Sequence, residues 1–326
     1  MEALSLVELM PVPDGRVTCD AERRGNHATQ ANVQTGMNRR SFLAAAALTP
    51  VLAALAACGD SSKATDPTPD PIDDVTALGT APSTGIAHPT GAQDVVLKLS
   101  YEGGFVPAGT AFINTPALLV SGDGHVYTQA VIPAIFPGPL LPSILVKTIT
   151  EQGVQRMLGV VKRAGLLATP PDYTGGSRVA DAPNTVLTLH AAGGDYVHSA
   201  YALGADAPES PARKALLSVV TTIGDVAGAV GEANLGEDQP FVATRYRFQA
   251  RVVDQAELDS QQPQPTIVEW PALTTLPLAN AASCAIVDAA SIGSLLVDAK
   301  QNTYFRDGAS VYQLSAAGVL PGDPEC

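Results

Sequence analysis

β-favouring runs begin at Val95, first Val95-Val96-Leu97-Lys98-Leu99-Ser100-Tyr101, where apolar and polar positions alternate from Leu97 to Ser100, then the wholly apolar Ala117-Leu118-Leu119-Val120, and then His125-Val126-Tyr127-Thr128. A period of two sends successive side chains to opposite faces, which is the mark of a half-buried strand. Ser121-Gly122-Asp123-Gly124 separates two of these runs, and Asp123-Gly124 predicts a hairpin with a type I′ turn. The period then changes. Val154, Met157, Leu158 and Val161 recur at i, i+3, i+4 and i+7, predicting an amphipathic helix with Thr148 and Glu151 spaced as its capping box. Lys162-Arg163 and Gly165 close it.

The same succession returns downstream. Thr185-Val186-Leu187-Thr188-Leu189-His190 and Tyr196-Val197-His198-Ser199-Ala200-Tyr201 flank a Gly193-Gly194 turn, and a helix follows with Ser210 as cap and Pro211 at its first position. Leu216, Val219, Val220 and Ile223 form its apolar face. Tyr246, Phe248, Ala250 and Val252 alternate in a further strand, and the Pro/Gln segment 261–265 marks a joint. Beyond it, Leu295-Leu296-Val297, Thr303-Tyr304-Phe305, the turn Asp307-Gly308 and Val311-Tyr312-Gln313-Leu314 read as strands of a small meander. The expected fold class is α+β: a mainly antiparallel sheet built from hairpins, two amphipathic helices on one face, and a small C-terminal β meander. Residues 94–260 form an α+β domain of two hairpin-helix units, and residues 261–326 a β-rich part packed on it.

The N-terminal part has another character. Asn38-Arg39-Arg40-Ser41-Phe42-Leu43 leads into an apolar run of sixteen residues, Phe42–Ala57. That run is shorter than the roughly twenty residues needed to span a bilayer and reads as an export signal. It ends in Leu55-Ala56-Ala57-Cys58, which resembles the lipobox of bacterial lipoproteins, while Arg39-Arg40 with Phe42 and Leu43 resembles the twin-arginine motif. The resemblance covers residues 37–60 and implies that Cys58 is lipidated and becomes the first mature residue, on an exported protein held at the outer face of the cell membrane, or at the outer membrane of a diderm. The expected basic residue after Leu43 is missing, which leaves the route less defined than the lipobox. Residues 1–36 lack periodicity and read as an upstream extension, residues 37–57 as the signal. Residues 58–93 read as a tether, since Asp66-Pro67-Thr68-Pro69-Asp70-Pro71 and its flanks hold almost no large apolar side chain.

Charge and cysteine content refine this picture. From Gly59 onward the chain has fourteen Lys and Arg against twenty-seven Asp and Glu, so its net charge of −13 lies wholly in that part. Such a surface excludes nucleic acid and anionic headgroups as electrostatic partners. Cys284 and Cys326 are the cysteines beyond Cys58, and in an oxidising compartment they are expected to form a disulfide. Closing a loop of that length would contribute on the order of 4 kcal/mol.

The chain contains no G-x-S-x-G, S-x-x-K, H-E-x-x-H, C-x-x-C, P-loop or G-x-G-x-x-G pattern. Two readings stand side by side. In the first, the chain is a non-catalytic module that binds an envelope protein or small molecule, needs no cofactor, and meets the membrane through its lipid. In the second, an envelope hydrolase or metal-dependent enzyme has its site near His190 and His198, with Asp195 or Asp181 as a third ligand. A three-residue loop Gly193-Gly194-Asp195 would bring the two rings together; a two-residue Gly193-Gly194 turn would set His198 opposite Leu189. Asp123 reads as a turn residue, since the alternating acids of a calcium loop are missing. Trp270 reads as an anchor for a groove or as packing for the joint. The apolar proline-rich stretch 131–142 must be buried, cover a ligand, or touch a membrane or partner.

Overall fold

Seven strands pair antiparallel in the larger of two sheets: β1 (Val95–Glu102), β2 (Leu118–Ser121), β3 (His125–Gln129), β4 (Ile144–Thr148), β5 (Asn184–Ala191), β6 (Gly194–Tyr201) and β7 (Gln239–Pro240). Their order is β6-β5-β1-β2-β3-β4-β7, so the first strand of the chain lies inside the sheet, flanked by β2 and β5. The computed structural model describes residues 85–326 except 107–108, 132–133, 176–178, 206–208 and 273–275. All of them fall in one of the two units into which the chain divides, Pro71–Cys326. Arg39, Arg40 and Cys58 lie outside the described residues.

Four helical segments accompany this sheet: α1 (Thr110–Ile113), α2 (Glu151–Arg163), α3 (Pro211–Gly224) and α4 (Val226–Val230). Val154, Met157, Leu158 and Val161 of α2 and Leu216, Val219, Val220 and Ile223 of α3 share one core with Leu97, Leu99, Val120, Leu187 and Leu189 of the strands. Close packing of this kind makes Leu158→Ala cost about 3 kcal/mol. The cap of α2 is Thr150, whose hydroxyl accepts the Gly153 N–H at 3.1 Å, and not Thr148. Thr148 still pairs with His125 in the sheet, and Ile149 donates to the Gly124 carbonyl, so the helix cannot begin before Glu151. At the other end Leu166 N–H reaches the Val161 carbonyl and Gly165 N–H that of Lys162, the paired bonds of a Schellman motif.

Both hairpin turns of this sheet differ from the sequence expectation. Val120 pairs with Val126 across a three-residue loop, Gly122-Asp123-Gly124, in which Gly124 has φ 79°. A Cβ there would stand 2.9 Å from the Ile149 carbonyl oxygen, so the position tolerates only glycine. Between β5 and β6 the turn is Ala192-Gly193, with φ of 54° and 76°, the type I′ signature one residue earlier than Gly193-Gly194. The Ala192 N–H donates to the Ala87 carbonyl at 2.7 Å, a tertiary bond that holds an alanine in the left-handed region.

The second sheet is built from β8 (Arg245–Val253), β9 (Thr266–Glu269), β10 (Ala285–Asp288), β11 (Thr303–Asp307) and β12 (Ser310–Gly318), in the order β10-β8-β12-β11-β9. Its pairs are antiparallel except β9 with β11. Three short helices, α5 (Gln255–Ser260), α6 (Ala289–Ile292) and α7 (Leu295–Asp298), join its strands. Leu295-Leu296-Val297 is therefore helical, closed by Asp298 N–H on the Ser294 carbonyl, because a three-residue apolar run has no period of its own. Strand β8 precedes the Pro/Gln joint but pairs with β10 and β12, so the change of sheet falls near residue 242, not at 260.

Leu119, Ile144 and Leu320, with Val95, Tyr127 and Phe241, pack the outer face of the large sheet against the second part. Cys284 and Cys326 are joined in a disulfide, with Cα atoms 5.3 Å apart, that ties the C-terminal tail beside β10. In the proline-rich stretch Leu140 is buried in the second core, and its N–H donates to Ala299 at 3.0 Å. Val131, Ile135 and Phe136 of the same stretch are exposed, and Ile132 and Pro133 lie outside the described residues.

Candidate functional site

His190 and His198 lie on opposite faces of the β5–β6 ribbon. His198 pairs with Leu187 and His190 with Asp195, and Leu187 and His190 are three positions apart on one strand. The Ala192-Gly193 turn fixes this register. His190 Nδ1 meets Asp195 Oδ1 at 2.6 Å on the exposed face. His198 is fully buried on the core side, with Nε2 2.8 Å from the Leu166 carbonyl and Nδ1 2.7 Å from the Tyr173 hydroxyl. Asp181 sits before the start of β5, at the far end of the hairpin from Asp195. The metal set His190, His198 and Asp195 or Asp181 is therefore not assembled. Among the described residues no group of three or more His, Cys, Asp or Glu side chains could hold a metal ion.

A carbonyl can only accept, so His198 carries its proton on Nε2 and accepts from Tyr173 at Nδ1. Burial holds its pKa below the ordinary value, and burial also pushes that of Tyr173 up. The neighbouring Arg213 is buried too. It gives Nη1 to the Tyr173 and Tyr201 carbonyls at 3.1 and 3.0 Å, Nη2 to the Ala202 carbonyl at 3.2 Å, and pairs with Glu209 through Nε and Nη2. Hydrogen bonds from Arg213 hold the Glu209 carboxyl below the usual range. Every strong donor of this cluster is used within the fold. It locks the segment around Tyr173 to β6 and α3.

Asp123 accepts from the Ser121 hydroxyl at 2.5 Å inside its own turn. Trp270 is buried between Phe248 and Phe305, with ring centroids 5.5 and 6.0 Å away, and its Nε1 donates to the Leu276 carbonyl at 3.0 Å. It serves the core.

Three depressions lie on the surface of the described residues. One of about 510 Å³ runs along β8 and β12, where Arg251 is engaged by Glu257 at 2.8 Å and Gln313 at 2.6 Å, and Gln249 by the Ala282 carbonyl at 2.9 Å. Another, of about 490 Å³, lies over Tyr173 and Arg213, whose donors are already placed. The third, of about 360 Å³, is a cleft between the two sheets. Two polar side chains of its floor, Lys98 and Ser100, have no hydrogen bond or ion pair among the described residues.

Alternation on β1 builds the floor of that cleft. Leu97 and Leu99 point to the helices, which sends Lys98, Ser100 and Glu102 to the other face. Lys98 is half-buried and, among the described residues, its ammonium has no ion pair or hydrogen bond; the Ser100 hydroxyl has no hydrogen bond either. On the opposite wall Arg247 of β8 lies under the Phe112 ring, 5.4 Å from its centroid. Arg247 Nε is buried without a hydrogen bond among the described residues and forms an ion pair with Asp323 Oδ2 at 3.8 Å. Asp323 is held in place by the Leu320 N–H at 2.9 Å. Val106, Pro116 and Pro324 supply apolar wall.

None of these cleft residues was singled out from the sequence. The signal was present as polar residues at alternate positions of β1 and β8, but alternation marks an outer face without saying what covers it. Compared with known proteins, the chain matches no family model, no curated protein and no solved structure.

Proposed function

We propose that this protein is exported and lipid-anchored through Cys58, and that the unit carrying the two sheets is a ligand-binding module with its site in the inter-sheet cleft. The observation that carries the binding reading is the pair of polar side chains on the cavity floor, Lys98 and Ser100, which have no hydrogen bond or ion pair among the described residues. Ligand sites favour such junctions, where a few convergent polar groups sit among apolar walls. Within this reading the chain is organised as two hairpin-helix units, β2–β3 with α2 and β5–β6 with α3. Their helices cover one face and leave the other for the cleft, and the β-rich C-terminal part provides its far wall.

The order of basic pair, apolar run and lipobox supports the anchor, and the Cys284–Cys326 disulfide suits an oxidising compartment. No helix among the described residues is long and apolar enough to cross a membrane.

Fractionation tests the anchor. Cys58→Ser is expected to leave an unprocessed precursor without lipid label, and a labelled, processed Cys58→Ser protein would overturn it. Native mass spectrometry tests the cleft: a small molecule carried by the purified wild type should be lost in Val106→Trp, whose ring blocks the mouth. The same bound mass in both proteins would sink the cleft reading.

A further inference from the structure

We infer that the free edge of β6 docks a second copy of this chain, the two β6 strands pairing antiparallel about Val197 and joining two large sheets into one.

The β5–β6 register fixes which backbone groups face outward. Ala191 pairs with Gly194 across the Ala192-Gly193 turn, so Gly194, Tyr196, His198 and Ala200 exchange their hydrogen bonds with β5. Asp195, Val197, Ser199 and Tyr201 turn theirs to the free edge. Tyr201 is already engaged, since its carbonyl accepts from Arg213 Nη1 at 3.0 Å. The N–H and C=O groups of Asp195, Val197 and Ser199 have no hydrogen bond among the described residues. The neighbouring segment does not supply one. A groove of about 490 Å³ is lined by Val197 and Ser199 of the strand and by Pro170, Pro171 and Asp172, and the two prolines have no N–H to give.

Other sheet edges are guarded. Strand β7 has two residues and ends in Pro240, while β9 and β10 have four each, with the disulfide-bonded tail beside β10. Strand β6 runs for eight residues in unbroken register and contains no proline, lysine or bulge. An open edge of that kind is a template for another strand.

The side chains choose this chain as the partner. Asp195, Val197 and Ser199 all stand on the exposed outer face. Pairing of β6 with itself about Val197 sets that residue against the partner's Val197, and each Asp195 against the partner's Ser199. Asp195 Oδ1 is held by His190 at 2.6 Å, which leaves Oδ2 for that hydroxyl. Every free N–H and C=O of the three residues is then used. A register about Asp195 would oppose two carboxylates, and one about Tyr196 would leave Ser199 against the turn. Registers about His198 or Ser199 would need the Tyr201 carbonyl that Arg213 holds. So short a pairing belongs to the weak, exchanging class of interfaces. Repulsion between chains of net charge −13 is screened beyond about 8 Å at physiological ionic strength.

Sedimentation velocity of the purified full-length protein at that ionic strength, over a concentration series, should show a reversible monomer–dimer equilibrium. Val197→Pro removes an N–H that the fold does not use, and should weaken dimerisation at least about tenfold with the melting temperature nearly unchanged. Ser199→Asp should weaken it as well by opposing two carboxylates, and adding Asp195→Ser should restore it by exchanging the two roles. Under mild oxidation Val197→Cys should cross-link to a second copy, because Cα atoms of such a hydrogen-bonded pair stand about 5.5 Å apart, within disulfide reach. Asp195→Cys should not.

A dimer unmoved by Val197→Pro and Ser199→Asp would place the contact elsewhere and overturn the inference. Cross-linking through Asp195→Cys in place of Val197→Cys would refute the register. A monomer at every concentration would also overturn it, and slow amide hydrogen exchange at Val197 and Ser199 in that monomer would assign the edge to a carried peptide or to the chain's own N-terminal segment.

Discussion

The Nδ1 atom of His198 lies 2.7 Å from the Tyr173 hydroxyl, and the two rings meet edge to face with centroids 5.8 Å apart. Leu166, just past the end of α2, takes the other ring nitrogen at 2.8 Å. A residue first read as a possible metal ligand is thus a bolt between β6, the end of α2 and the segment that carries Tyr173. Replacing Tyr173 by Phe leaves Nδ1 buried without a donor and should cost about 1.5 kcal/mol, measured by urea denaturation. An unchanged midpoint would show that the bond contributes nothing.

That bolt also titrates. Burial lowers the pKa of His198 in the folded state from the ordinary 6.5, so the unfolded chain takes up this proton first as pH falls. Its stability contribution is complete above about pH 6.5 and is lost as pH falls below that value. His198→Gln should flatten the stability curve between about pH 6.5 and 5, above most carboxylate titrations. Identical slopes for wild type and variant in that window would remove His198 as the cause.

Arg213 and Glu209 form a second buried lock, with guanidinium and carboxylate both nearly enclosed. Arg213→Met strands the carboxylate and three backbone carbonyls, and should destabilise by about 3 kcal/mol or more. Adding Glu209→Gln should restore part of that loss, because a neutral amide is cheaper to bury. Equal melting temperatures for the single and double variants would argue that the pair is not coupled.

Cys284 and Cys326 are 42 residues apart, and their bond holds the tail whose Asp323 and Pro324 line the cleft. Reduction should cost up to about 4 kcal/mol by restoring chain entropy to the unfolded state. A reduced protein with full stability would contradict the expectation.

Ala192 has φ 54° in an exposed turn position followed by Gly193. Asparagine tolerates the left-handed region better than alanine, so Ala192→Asn should raise stability by about 0.5 kcal/mol. A lower melting temperature would show that the Ala87 contact, not the turn itself, governs this position.

The sequence by itself determined the α+β class and the two long helices. These depend on local periodicity and spacing: the i, i+3, i+4, i+7 recurrence over 154–161 and the cap-and-proline start at Ser210-Pro211 are complete within a few residues. Only the tertiary structure decided the register of β5–β6, because an alanine entered the left-handed region with its N–H bonded to the Ala87 carbonyl, and the turn so placed sets His198 opposite Leu187 and His190 opposite Asp195. It alone decided that β8 serves the second sheet, since strand pairing joins residues far apart in the chain. The cleft belongs to the same class of fact. Lys98 and Arg247 are separated by almost half of the chain, and no local pattern records that their outer faces meet.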